Sequence, residues 1–186
     1  LKKLEKKVKI EMKKLNFEFK AKVENLEELE ARFQALQPVF KGEDHQIDTY
    51  FNINPALGGR LKLREGNIEN SLIYYERKNL AGAKQSDVLL YEHTPNPSLK
   101  AVLTKLHGVK IVVDKRRRIY FIENVKFHFD SVAQLGTFVE VEAIADETTH
   151  TIADLQAQCQ YYFNFFELEN AQYMQLSYSD LLANQP

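Results

Sequence analysis

The sequence predicts an α+β fold: a closed antiparallel β-barrel with helices packed outside. Three observations carry this. Short segments alternate charged and apolar residues along most of the chain, which is the period of a strand with two unlike faces. Three further stretches repeat apolar residues at helical spacing, enough to cover the apolar side of a sheet. Cations and carboxylates are sorted onto different strands instead of being mixed. Periodicity alone also allows a sheet with one wet face. Five or more charged faces, with helices available to cover the apolar ones, favour closure around a charged, watery interior.

Residues 1–15 place Leu1, Leu4, Val8, Met12 and Leu15 near a helical stripe surrounded by Lys, a basic helical extension or lead-in. Residues 16–186 read as a single domain. Asn16 to Val23 is a strand with Phe17, Phe19, Ala21 and Val23 on one face and Asn16, Glu18, Lys20 and Lys22 on the other. Asn25 and Glu28 predict a capping box, followed by a helix on Leu26, Leu29, Phe33 and Leu36 that ends at Gln37-Pro38. Strands are expected over His45–Ile53 and Arg60–Arg64, the latter sending Arg60, Lys62 and Arg64 to one side. A Gly66 turn then makes a hairpin with Ser71–Lys78. Asn79–Lys84 is a polar loop, and Ser86–Tyr91 a further strand or short buried segment.

Asn96 as cap, Pro97 at the first helical position and Gly108 at the end frame a second helix on Leu99, Val102, Leu103 and Leu106. Three strands follow between Lys115 and Glu142. They put Lys115 and Arg117 on one face, Lys126, His128 and Asp130 on one face, and Phe138, Glu140 and Glu142 on one face. Thr151 with Asp154 opens a third helix on Ile152, Leu155, Cys159, Tyr162 and Phe166, and Ser177 with Asp180 a short last one.

The formal charge of −1 is uneven: seven Lys against Glu5 and Glu11 give residues 1–15 a balance of +5, leaving −6 for the remainder. An acidic body argues against a general nucleic-acid surface. No apolar run reaches the length of a membrane span, no signal-peptide core opens the chain, and one cysteine, Cys159, permits neither an intrachain disulfide nor a cysteine-rich zinc site. A cytoplasmic monomer or homodimer is expected. Arg116 and Arg118 read as surface charges, Cys159 as core, and His128 as a packed or hydrogen-bonded histidine. His45, His93, His107 and His150 have no metal-like spacing. Arg and Lys on some strands and carboxylates on others suit a polyphosphate with its divalent metal.

At these residues the sequence resembles the CYTH family of triphosphate tunnel metalloenzymes, which includes class IV adenylyl cyclases and thiamine or inorganic triphosphatases. The segments that carry the resemblance are Asn16 to Lys20, Gln46 to Phe51, Gly59 to Glu65, Lys115 to Arg117 with Tyr120, His128 to Asp130, Leu135 to Glu142 and Ser177 to Leu182. It implies an eight-stranded barrel. It further implies that Lys20, Arg64, Arg77, Lys115 and Arg117 grip a triphosphate, with Lys22, Lys62 and Lys126 as further contacts. Glu18, Glu140 and Glu142 would hold Mg²⁺ or Mn²⁺, with Asp130 as metal or substrate contact. Lys20, Arg64, Arg117 and Asp130 are the implied catalytic group. Asn16 departs from the family's E-x-E-x-K pattern, a neutral amide where the pattern has a carboxylate. The resemblance leans towards a cyclase that converts ATP to cyclic AMP and pyrophosphate. A triphosphatase and a non-catalytic polyphosphate- or nucleotide-binding module are the alternatives.

Overall fold

The computed structural model describes residues 14–77, 86–146, 148–169 and 172–185. The basic helix expected over most of residues 1–15, the loop Asn79–Lys84 and the side chain of Arg77 lie outside the described residues. Lys14 and Leu15 belong to the first strand, where Leu15 pairs with Ala145. The strands are β1 (Lys14–Val23), β2 (Val39–Phe51), β3 (Arg60–Glu65), β4 (Ser71–Arg77), β5 (Ser86–Glu92), β6 (Val109–Ile122), β7 (Val125–Val132) and β8 (Gly136–Asp146). The helices are α1 (Leu26–Phe33), α2 (Pro97–His107), α3 (Ile152–Phe165) and α4 (Tyr178–Ala183). All the strands join one antiparallel sheet in the order β1-β8-β7-β6-β2-β3-β4-β5.

The sheet curls into a half-barrel and does not close into the expected barrel. Among the described residues no pairing links its edges, β1 and β5. The outer edge of β1 is instead occupied by the C-terminal segment: Met174 N–H donates to the Lys20 carbonyl at 2.8 Å, and Tyr173 bridges Ala21. From there Arg60 of β3 reaches across to Ser177 at 2.7 Å and Asp180 at 2.9 Å. A short helix and its flanking residues thus stand in the seam where barrel strands would pair.

The apolar strand faces point outward, as their alternation predicts. Phe19, Ala21, Phe127, Phe129, Val139, Val141 and Ala143 are buried beneath α1 and α3. Phe33 of α1 is the centre of this layer, with Phe127 at 4.5 Å and Tyr120, Phe129 and Phe166 at 5.4 to 5.7 Å between ring centroids. Cys159 lies in the same layer.

The caps divide. Thr151 and Asp154, and Ser177 and Asp180, form reciprocal capping boxes. Asn25 makes no side-chain cap, so α1 is held by Leu26, Leu29 and Phe33 rather than by the expected Asn25–Glu28 box. In α2, Asn96 accepts from Ser98 N–H and Gly108 takes φ +67°, but only Leu103 is buried, beside Phe51 and Leu63; Val102 and Leu106 face out. The β2 strand begins at Val39, well before His45, because a register shift between Phe40 and Gly42 breaks the alternation there. No described helix is long and apolar enough to cross a membrane.

Candidate functional site

The concave face encloses a cavity of about 600 Å³. Its charged side chains arrive from β1, β2, β3, β6, β7 and β8, with Glu92 at the end of β5, because every second residue of each strand points inward. Two clusters meet there.

The first is built on Asp48 of β2, only 2% exposed. Arg64 of β3 donates to both of its oxygens at 2.8 and 2.9 Å, Lys62 at 3.1 Å, and Lys115 of β6 at 2.9 Å. Burial opposes ionisation of Asp48, but Lys115, Lys62 and Arg64 outweigh it and hold the carboxyl well below its usual range. The cations bear the opposite cost. Burial, with Arg64, Arg117 and Lys62 nearby, brings Lys115 down to about 7 despite Asp48. Behind this cluster Asp44 accepts from the N–H groups of Asn67, Ile68 and Glu69 at 2.6 to 3.0 Å, which fixes the β3–β4 turn. A Cβ on Gly66 would stand 2.7 Å from Asp44 Oδ1, so this turn requires glycine. The turn delivers Glu69, which receives Arg64 and Lys126 at 2.8 Å each.

The second cluster lies on β8, β7 and β1, where register places Glu18 opposite Glu142, Lys20 opposite Glu140, Lys126 opposite Glu142 and His128 opposite Glu140. Arg117 binds Asp130 through two bonds of 2.7 and 2.6 Å and Glu140 at 3.0 Å. Tyr178 donates to Asp130 at 2.7 Å, and its ring lies 4.1 Å beneath Lys20 Nζ. Glu142 is pushed up to about 7 by burial and by the charges of Glu140 and Glu18. His128 is 1% exposed and neither ring nitrogen has a hydrogen-bond partner. Burial, then Arg117 and Lys126, hold its imidazole well below the ordinary value, so it is neutral. One ligand atom from each of His128, Glu140 and Glu142 lies within 4.8 Å of the others.

Beyond the charges the cavity has an apolar wall of Ile68, Ile73, Tyr75, Val88 and Leu90.

The structure therefore gathers Lys20, Lys62, Arg64, Lys115, Arg117 and Lys126 with Glu18, Glu140 and Glu142 around one cavity, and Asn16 lines it with its buried side-chain oxygen unpartnered. Two expected contacts are placed differently. Lys22 is exposed and lines a separate groove beside the start of α1, because β1 has by then run past the cavity. Asp130 is completely buried behind Arg117, its oxygens committed to Arg117 and Tyr178, so it orients a guanidinium instead of facing a metal. Arg116 and Arg118 point outward, to Glu43 and Glu30. Asp48 and Glu69 are two site residues that sequence reasoning did not assign, and His128, expected to be packed, is packed against the cavity. The signal for Asp48 was a carboxylate alternating with half-buried Ile47 and buried Thr49 and Phe51; Glu69, in a turn, had none.

The CYTH domain family matches residues 14–170. No curated protein matches the sequence. Among solved structures, a Pyrococcus horikoshii protein is similar with TM-score 0.77 and 23% identity, over 90% of this chain and 99% of that one. A candidate adenylate cyclase from Vibrio parahaemolyticus has TM-score 0.72 and 20% identity, over 91% and 98%. An adenylyl cyclase candidate from Hippeastrum, described as having a dominant triphosphatase activity, has TM-score 0.66 and 15% identity, over 92% and 95%. At these identities the structural likeness speaks for the fold.

Proposed function

This chain belongs to the CYTH family, and we propose on that footing that its concave cavity binds the triphosphate of a small molecule and catalyses transfer at phosphorus. The observation that carries the proposal is the convergence of Lys20, Lys62, Arg64, Lys115, Arg117 and Lys126 opposite Glu140 and Glu142 in one cavity. Arg64 is oriented by Asp48 and Glu69, and Arg117 by Asp130 and Glu140, so both guanidinium groups are set in place before a ligand arrives. Such preorganised charge stabilises what develops on phosphoryl oxygens without rearrangement during reaction. Lys115, half-charged near neutrality, takes up a proton when an anion binds beside it.

The donor set fits a divalent cation: carboxylates Glu140 and Glu142 crowd together on one wall, with Glu18 across from Glu142. Mg²⁺ or Mn²⁺ held there would supply Lewis acidity at a phosphoryl oxygen.

In the favoured reading the substrate is ATP. The ribose 3′-hydroxyl attacks the α-phosphorus, pyrophosphate leaves, and cyclic AMP forms. The apolar wall of Ile73, Tyr75, Val88 and Leu90 supports a triphosphate that carries an organic group. The alternative is a triphosphatase in which water attacks the γ-phosphorus and orthophosphate leaves, and the activity described for the Hippeastrum relative favours keeping it. Binding without turnover is the reading motivated by Asn16.

Incubation with Mg²⁺ or Mn²⁺ and, separately, ATP, inorganic triphosphate and thiamine triphosphate, with chromatographic resolution of products, tests all three. Cyclic AMP with pyrophosphate supports the cyclase. Orthophosphate without cyclic product assigns a triphosphatase, and triphosphate binding without turnover assigns the binding module.

A further inference from the structure

We propose that His128 is a ligand of the divalent cation, joining Glu140 and Glu142, and that its nitrogen makes the site prefer Mn²⁺ or another first-row transition cation to Mg²⁺. The inference rests on reading the cavity as a metal site and adds to it a residue and a selectivity.

Two independent observations support it. The first is position: β7 and β8 set His128 directly opposite Glu140, next to the Glu142 row, and one ligand atom from each of the three lies within 4.8 Å of the others. Donors around an ion with bonds of about 2.1 Å stand at most about 4.2 Å apart, so closure needs a side-chain shift of under ~1 Å. The second is the imidazole itself. A buried ring normally finds partners for its nitrogens, yet His128 is 1% exposed and both Nδ1 and Nε2 lack one. Its nearest carboxylate oxygen, Glu140 Oε2, is 4.0 Å from Nδ1, too far for a hydrogen bond. A neutral ring nitrogen held beside two carboxylates is short of a partner that an ion would supply.

The donor chemistry sets the preference. Mg²⁺ takes oxygen ligands and keeps its waters, whereas imidazole suits first-row transition cations. The ion must also share Glu140 with Arg117 and Lys20, which bind Oε2 at 3.0 and 3.3 Å. A triphosphate would draw those cations to itself, so the test includes one.

Pulsed electron paramagnetic resonance of the full chain with Mn²⁺ and inorganic triphosphate should show coupling to a directly bound ¹⁴N. In His128→Gln the coupling should vanish and Mn²⁺ affinity, measured by calorimetry, should fall by at least the roughly 10–100-fold that losing even an outer-shell partner of a ligand costs, while Mg²⁺ affinity stays near that of the unaltered protein. His93→Gln, at another histidine lining the cavity, should keep the coupling. Absence of nitrogen coupling, failure of Mn²⁺ to bind, or equal loss of both metals in His128→Gln overturns the proposal. Should that variant not fold, the coupling in the unaltered protein and in His93→Gln decides. None of these readouts needs turnover. Nitrogen coupling in a chain that converts no triphosphate would therefore defeat the proposed reaction and leave the ligand standing, and Mg²⁺-supported turnover without coupling would do the reverse.

Discussion

The two charged walls of the cavity are built from the same residue types in opposite proportion. On β2, β3 and β6 one carboxylate, Asp48, serves Lys62, Arg64 and Lys115, and burial with mutual repulsion lowers Lys115 to about 7. On β1 and β8 carboxylates crowd one another, and Glu142 rises to about 7 for the mirror-image reason. The first wall is short of negative charge and the second of positive charge. A ligand that brings an anion to one and a cation to the other relieves both, which is what a metal-bound triphosphate does. Strain of this kind resides in the tertiary arrangement, since neither wall's residues are unusual along their own strands.

The same amide substitution should act with opposite sign on the two walls. Asp48→Asn removes the carboxylate shared by three buried cations, leaving Arg64 only Glu69, and should destabilise the protein by about 3–5 kcal/mol, read as a lower midpoint in urea. An unchanged midpoint would break the comparison at its stronger end. Arg64→Met should weaken binding of inorganic triphosphate by about 2–5 kcal/mol in calorimetry; undiminished binding would mean that this wall is structural only.

Glu142→Gln should stabilise the metal-free protein, by up to about 3 kcal/mol above pH 7. The sign follows from the folded pKa, about 7, lying above the unfolded value. The folded state favours the protonated carboxyl, so native Glu142 costs nothing below the unfolded pKa. The cost grows between the unfolded value and about 7 and is fully present above it. Denaturation at pH 4 and pH 8 should show the variant's advantage only at the higher pH.

The pH dependence of triphosphate binding sharpens the other wall. Lys115 is already charged well below pH 7 and must gain a proton above it, since the bound anion raises its pKa. Affinity should therefore be flat in acid and fall by about tenfold per unit above about pH 7, a slope that Lys115→Met removes. The smallest effect belongs to the outer face: Arg116→Ala, which loses an exposed 3.5 Å contact with Glu43, should change stability by less than about 0.5 kcal/mol and leave binding unaltered.

Much of this is legible in the sequence. Alternation placed Lys115, Arg117, Lys126, Glu140 and Glu142 on inward faces, and the apolar stripes of α1 and α3 announced the outer layer. Two residues are placed differently for physical reasons, and a third is placed as expected in surroundings the sequence does not show. Lys22 shares a strand face with Lys20 but lies beyond the cavity's end, a matter of strand length against cavity depth. Asp130 points inward as its period requires, yet Arg117 lies directly across in register and takes both its oxygens. His128 is packed, as its reading expects, and only its surroundings reveal nitrogens without partners.

The sequence by itself determined which residues face in and which face out, because a strand's period of two is a local property of the backbone. It also determined where α2, α3 and α4 begin, since caps act within a few residues. Only the tertiary structure decided which inward residues meet. Asp48 and Lys115 are 67 positions apart and touch because β2 pairs with β6 in one particular register. The same holds for the seam: β1 could pair with a strand or with the segment around Tyr173. Its choice depends on how the chain packs after α3, information that no local pattern contains.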